Sequence, residues 1–246
     1  MNITWRTLLG APVFWVCVVL LGLTFGLPYL YPLFSALFPQ LDRPIYTQDS
    51  FWQLLISHVG IVAASSLISI IIGVTLGCFV TREQGKAFKP LIDTSVAIGQ
   101  TFPPVAVLAI AAPLLGFGAT PALIALALYG LLPIVEGSIA GFSSVSNAAK
   151  EAAMGLGMLP REVLRRVEFP LAWPIILAGI RTSVTINIGT AAIASTVGAK
   201  TLGTPIIVGL TGYNTAYVIQ GALLVGLLAV AVDMLLGQLN KDSDLI

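Results

Sequence analysis

Apolar residues in this chain run on for longer than a soluble core helix requires. Six stretches, approximately 11–31, 54–80, 91–114, 120–142, 173–199 and 216–238, match the roughly 20 residues an α-helix needs to cross a bilayer. Polar residues collect between them. The pattern predicts an all-α, polytopic membrane bundle of about six transmembrane helices. Arg6 before the first run suggests a signal peptide, but no small-x-small site follows; Pro28, Pro32 and Pro39 do, which predicts a retained span. The chain then divides into an N-terminal helix with an outer loop (1–53), a core (54–239) and a short tail (240–246). Within the core, the one long polar connection is an inner loop at 143–172.

Two features interrupt the runs. Pro103-Pro104 removes two backbone donors from the middle of the third stretch, so that helix should be kinked or locally unwound. Lipid cannot satisfy the freed carbonyls, so the irregular stretch should face protein or a wet cavity. Gly22/Gly26, Gly73/Gly77 and Gly137/Gly141 each place small residues on one helix face, where a neighbouring helix can approach closely.

Composition agrees. The chain is 57% hydrophobic and 9% charged, with mean hydropathy +0.97, against roughly 45–50% and 25% in soluble domains. A net charge of +1 offers no bulk attraction to nucleic acid. Cys17 and Cys78 lie apart in apolar runs and read as small hydrophobes. His58, the single histidine, cannot build a metal cluster and is expected to be a polar side chain near a membrane interface. No paired carboxylates or nucleophile–base set suggests an enzyme. Gly198-Ala199-Lys200-Thr201 lacks the glycines and the strand-to-helix context of a phosphate loop.

With the N-terminus in the cytoplasm, Arg6, Arg82, Lys86, Lys89, Lys150, Arg161, Arg165, Arg166 and Lys241 fall inside. Only Arg43 and Lys200 fall outside, and Arg181 lies in or beside the fifth span, as the positive-inside rule demands. Six spans return the C-terminus to the cytoplasm. Asp93 and Asp233 fall near inner helix ends and should be solvated.

The inner loop has its own local code. Ala148 to Met154 is good helix material with Ser146 or Asn147 available as N-cap. Gly155 and Gly157 interrupt it, Pro160 suits the first turn of a second short helix, and Pro170 is expected to end that helix. Two short helices joined by a glycine elbow should result. Small side chains at Ala152, Ala153 and Gly157 would let another protein approach the backbone.

Glu151-Ala152-Ala153, then Gly157, then Val167-Glu168-Phe169-Pro170 resembles the signature loop of permeases in bacterial ABC importers: Glu-Ala-Ala, three residues, Gly, nine residues, Ile-x-Leu-Pro. Val167 and Phe169 replace Ile and Leu and stay apolar. Ala97-Ile98-Gly99-Gln100-Thr101-Phe102-Pro103-Pro104 resembles the third-span motif of permeases for glycine betaine, carnitine or choline. Leu177–Thr182 through Asn187–Ala191, and Gly198–Gly203, are similar to the same subfamily's fifth span and the turn after it. The resemblance covers about residues 97–239 and implies a MetI-like ABC permease fold in a bacterial inner membrane.

It also implies partners: a second permease subunit, identical or sister, two cytosolic ATPases docked on the signature loops, and a periplasmic or extracellular binding protein. ATP would be bound by the ATPase, with no cofactor on this chain. The coupling residues implied are Glu151, Ala152, Ala153, Gly157, Val167, Phe169 and Pro170. Along the pathway, Phe102 and Tyr129 offer faces for a quaternary ammonium ion, or simply pack. Glu136 and Arg181 could pair at a gate, or Arg181 could snorkel; Gln100 and Asn187 would bridge helices more readily than touch cargo. Other importers, for methionine or sulfonates, remain alternatives. An ion-coupled secondary transporter would need more spans and midplane charges.

Overall fold

The computed structural model describes residues 12–243, with side chains through Leu239; Arg6, the Lys241 side chain and residues 244–246 of the expected tail lie outside what is described. The described chain is helical with no strand. Helix α1 (Pro12–Gly26) runs into a 3-10 turn, Leu27–Tyr29, and a short α2 (Tyr31–Leu37). The long α3 (Phe51–Val80) follows, then α4 (Lys89–Thr101), α5 (Pro104–Leu115) and α6 (Ala119–Ser144). The inner loop holds α7 (Asn147–Gly155) and α8 (Pro160–Val163) before α9 (Phe169–Ala191). A 3-10 turn, Ile193–Val197, and α10 (Thr204–Thr211) lead to α11 (Thr215–Ser243).

Five helical stretches are long and apolar enough to cross a membrane, and α4 with α5 makes a sixth if the bent pair is one span. The break falls at Pro103, as expected. Phe102, forced out of the helical region by the proline after it, is extended (ψ 133), and the chain turns by 90°.

Contacts gather the chain into two compact units, and α3, α6, α9 and α11 each run from one into the other. One unit holds the described residues up to Ala64 with Pro104–Leu126 and Asn187–Leu235; Leu27, Tyr46, Leu54, Leu202 and Leu224 are among its buried side chains. The second is built on Ser65–Pro103 and Ala127–Ile186 around a core of Ile134, Phe142, Val145, Ala172, Ile176 and Ile180.

In the second unit, two of the three glycine pairs bring helices together. A Cβ on Gly73 or Gly77 would strike Ile134 or Ser138 of α6, and one on Gly137 or Gly141 would crowd the α9 backbone at Gly179 or Ala172. Gly22 and Gly26 meet nothing within 4 Å, so that spacing joins no described helices. Pro133 disturbs the α6 ladder, and Ser183 donates to the Gly130 carbonyl nearby, as lipid cannot.

The expected fifth span is corrected at its end. Helix α9 stops at Ala191, whose carbonyl accepts from the Thr201 hydroxyl at 3.2 Å, and Gly203 packs so tightly on Ala192 that a Cβ there would sit 1.9 Å from the Ala192 carbonyl oxygen. Gly198, with φ +82, closes the 3-10 turn between them.

Candidate functional site: the inner loop and the broken third span

Local signals build the inner loop largely as its residues predict. Ser146 is the N-cap of α7, its Oγ accepting from the Ala149 N–H at 3.3 Å. At the other end the Met158 N–H bonds to the Ala153 carbonyl (3.2 Å) and the Gly157 N–H to that of Met154 (2.9 Å). This is a Schellman stop, and its left-handed residue is Gly157 at φ +86. Gly157 is therefore demanded by backbone conformation, with open space around it, and not only by clearance for a partner. Glu162 caps α8 by accepting from the Leu159 N–H at 3.0 Å.

Two expectations fail here. Ala153 is buried, so only Glu151, Ala152 and Gly157 of the motif's first half face outward. Pro170 does not end the second helix. A π-helical segment, Leu164–Glu168, carries α8 directly into α9, with the Phe169 N–H reaching back to the Leu164 carbonyl. Pro170 has no N–H for a normal ladder and its ring would clash with the carbonyl four residues back; slipping the ladder by one residue lets the helix continue. Phe169 packs between the rings of Phe142 (6.3 Å) and Trp173 (5.6 Å), beside half-buried Val167 and exposed Pro170.

The residue between Val167 and Phe169 was assigned no role by its sequence, yet it anchors the loop. Glu168 is buried, and both its oxygens accept from Arg82 Nη1 at 2.8 Å. Lys150 stands 3.8 Å away. Arg82, just past the end of α3, also bonds the Cys78 carbonyl (3.3 Å) and lies over the Phe142 ring at 5.4 Å. The ions tie both short helices of the loop to α3, next to a cavity of about 290 Å³ that reaches Met154 and Arg161. A lone acid inside an apolar motif was the available clue, since a buried carboxylate requires a cation.

The pathway candidates are partly brought together. The Tyr129 hydroxyl donates to the Phe102 carbonyl, satisfying the backbone that Pro103 and Pro104 disrupt. The Phe102 ring stays exposed, Gln100 is half-buried and Asn187 fully buried. Glu136 makes no ion pair among the described residues, so the expected pairing with Arg181 is not formed. The Arg181 guanidinium lies over Gly237, whereas Glu136 opens on a cavity shared with Lys89 and Asp93. Asp93 itself is paired with Lys89 at 2.6 Å, and Asp233 is half-buried rather than freely solvated.

In the other unit a clamp that the sequence did not reveal surrounds Lys200. Lys200 Nζ donates to Asp49 at 2.5 Å, and Tyr46 Oη donates to the same carboxylate at 2.9 Å. The hydrogen bond from Lys200 holds the Asp49 carboxyl below its ordinary range, and burial pushes the Tyr46 phenol up. Gln220, fully buried, accepts from the Tyr46 N–H (3.1 Å) and donates to the Pro44 carbonyl (2.7 Å). His58 is fully buried, near the start of α3. Its Nδ1 accepts from the Leu202 N–H (3.3 Å), which leaves the proton on Nε2 to donate to the Ile188 carbonyl (3.0 Å).

Five or six helices long and apolar enough to cross a membrane, joined by a loop of short capped helices that turns Glu151 and Ala152 outward, define a polytopic membrane protein. The chain belongs to the family of binding-protein-dependent transport system inner membrane components, whose model matches residues 70–243. It is 40% identical over 184 residues to the osmoprotectant import permease protein OsmY of Salmonella typhimurium, covering 75% of this chain and 78% of that one. Identity to the choline transport system permease protein OpuBB of Bacillus subtilis is 41% over 179 residues, 73% and 82% of the two chains. The fold is that of MetI-like ABC permeases. An inward-facing structure of the MetNI methionine ABC transporter matches with TM-score 0.69 at 19% identity, covering 80% of this chain and 99% of that one. An amino acid ABC transporter with histidines gives TM-score 0.63 at 20% identity, covering 77% and 92%.

Proposed function

We propose that this chain is the permease subunit of an ABC importer for quaternary-ammonium osmoprotectants such as glycine betaine, carnitine or choline. One observation carries the coupling half of this reading: α7, capped by Ser146 and stopped by Gly157, presents Glu151 and Ala152 outward while Glu168 ties the same loop to α3. A partner that pushes on α7 would thereby push on a membrane-spanning helix. That partner is a cytosolic ATPase, so the loop and both termini face the cytoplasm, consistent with Arg161, Arg165 and Arg166 in this connection. ATP binding and hydrolysis belong to the ATPase, and this chain performs no chemistry of its own. Two permeases, two ATPases and an external binding protein complete the importer, and the functional core is 54–239. The names of the relatives support the cargo, which the loop geometry does not address.

The test is uptake of radiolabelled glycine betaine, choline and methionine by vesicles holding the assembled transporter with ATP inside and binding protein outside. ATP-dependent uptake of a quaternary ammonium solute is expected. Accumulation of methionine alone would overturn the cargo, and transport without an ATPase would overturn the mechanism.

A further inference from the structure

Glu136 lies in the C-terminal half of a membrane-spanning helix, α6, is exposed on its surface, and makes no hydrogen bond or ion pair with any described residue. A carboxylate in such a position is costly and is retained where it faces water or a cation. It faces a cavity of about 460 Å³, closed on one side by α6 (Leu132, Ile139, Ala140) and on the other by α4. That volume falls within the roughly 300–1,000 Å³ of small-molecule sites. The α4 wall brings Lys89, whose ammonium is held at 2.6 Å by Asp93. The charges are thus arranged as one exposed anion with no described partner, set against an apolar wall, and a cation fixed nearby.

We propose that this cavity is a weak inner station for the cargo: Glu136 receives the quaternary ammonium centre, Leu132, Ile139 and Ala140 take its methyl groups, and Lys89 meets the solute's carboxylate or hydroxyl oxygen. The inference rests on the cargo proposed above. A quaternary ammonium ion donates no hydrogen bond, so an unpaired carboxylate beside apolar surface suits it better than a hydrogen-bonding cluster would. Among the described residues no aromatic ring lines the cavity, so they supply no aromatic cage for tight capture. Weak binding is what a station from which cargo must depart requires. A choline lipid headgroup carries the same chemistry, and the experiment separates the two.

In the assembled transporter, with Cys17→Ser and Cys78→Ser removing native thiols, Ala140→Cys places a reporter in the cavity wall. Vesicles of phosphatidylethanolamine and phosphatidylglycerol contain no choline headgroup. A methanethiosulfonate bearing trimethylammonium should modify this thiol faster than one bearing sulfonate, by about tenfold after correction for intrinsic reactivity, and glycine betaine should slow it. Glu136→Gln should abolish both the charge preference and the protection, and Glu136→Asp should keep part of each. Equal rates, or protection indifferent to Glu136→Gln, would overturn the proposal. So would protection by phosphatidylcholine and not by betaine, which would assign the cavity to lipid. If wild-type uptake finds no quaternary ammonium cargo while the cation preference at residue 140 persists, the cargo reading fails and the cation site stands.

Discussion

The loop between α6 and α9 is held by ions, whereas the connections that meet around Lys200 are held mostly by neutral hydrogen bonds. Around the loop, Arg82, Lys150 and Glu168 form one cluster with a single buried member, apolar packing of Phe169 on Phe142 and Trp173 lies beside it, and the side-chain hydrogen bonds within the loop are helix caps a few residues apart. Around Lys200, one ion pair accompanies a mesh made by His58, Gln220, Ser57 and Tyr46, much of it buried. A few strong ties on locally stable helices give a piece that moves as a body, whereas many short bonds to irregular backbone hold a piece still. The loop is suited to transmit force and the clamp to resist it.

That contrast can be broken from either side. The largest effect should come from Gly203→Ala, which drives a Cβ into the Ala192 carbonyl with no flexible neighbour to yield; a loss of about 4 kcal/mol or more should leave little folded protein on size-exclusion chromatography. Glu168→Ala comes next, stranding Arg82. Because Arg82 is 32% exposed, the cost should be about 2 kcal/mol, below the ~3–5 of a fully buried pair. A thermal-melt double-mutant cycle with Arg82→Ala should show coupling, and additive losses would remove the tie.

Gln220→Leu leaves the Tyr46 N–H and the Pro44 carbonyl without their partner, for about 1–3 kcal/mol, and should raise hydrogen exchange at Tyr46. Gly157→Val forces a β-branched residue to φ +86, at about 1–2 kcal/mol. Its stability loss is modest, but uptake and ATPase stimulation should collapse together; normal uptake would dissociate α7 from coupling. Asp49→Asn should matter least, no more than about 1 kcal/mol. Since the folded-state value of Asp49 is depressed, the stabilisation is present above the ordinary value of 3.8 and is lost as pH falls through the folded one. The melts of the two proteins should therefore differ at pH 7 and approach one another only as pH falls below 3.8 towards the folded value.

The spans, the break at Pro103, the Ser146 cap and the glycine stop could all be read from the chain, because each is decided by residues within a turn or two of itself. The short helix from Asn147 to Gly155 in the inner loop was equally legible. The loop's anchor was not: Glu168 meets Arg82 across 86 residues. The fate of Pro170 was misjudged because a proline normally stops a helix, and only packing of Phe169 with Phe142 and Trp173 shows a π turn sustained in its place.

What the sequence determined by itself is the solvent and the local grammar. Helix length, apolar runs and caps follow from the cost of an unsatisfied peptide group in lipid, which is the same wherever the helix goes. Only the tertiary structure decided which lone polar groups find partners. Gln220 reaches Pro44 across 176 residues, His58 reaches Leu202 across 144, and Glu136 faces its cavity with no partner among the described residues. Contacts at that separation depend on how helices are placed, and no local pattern in the chain encodes that placement.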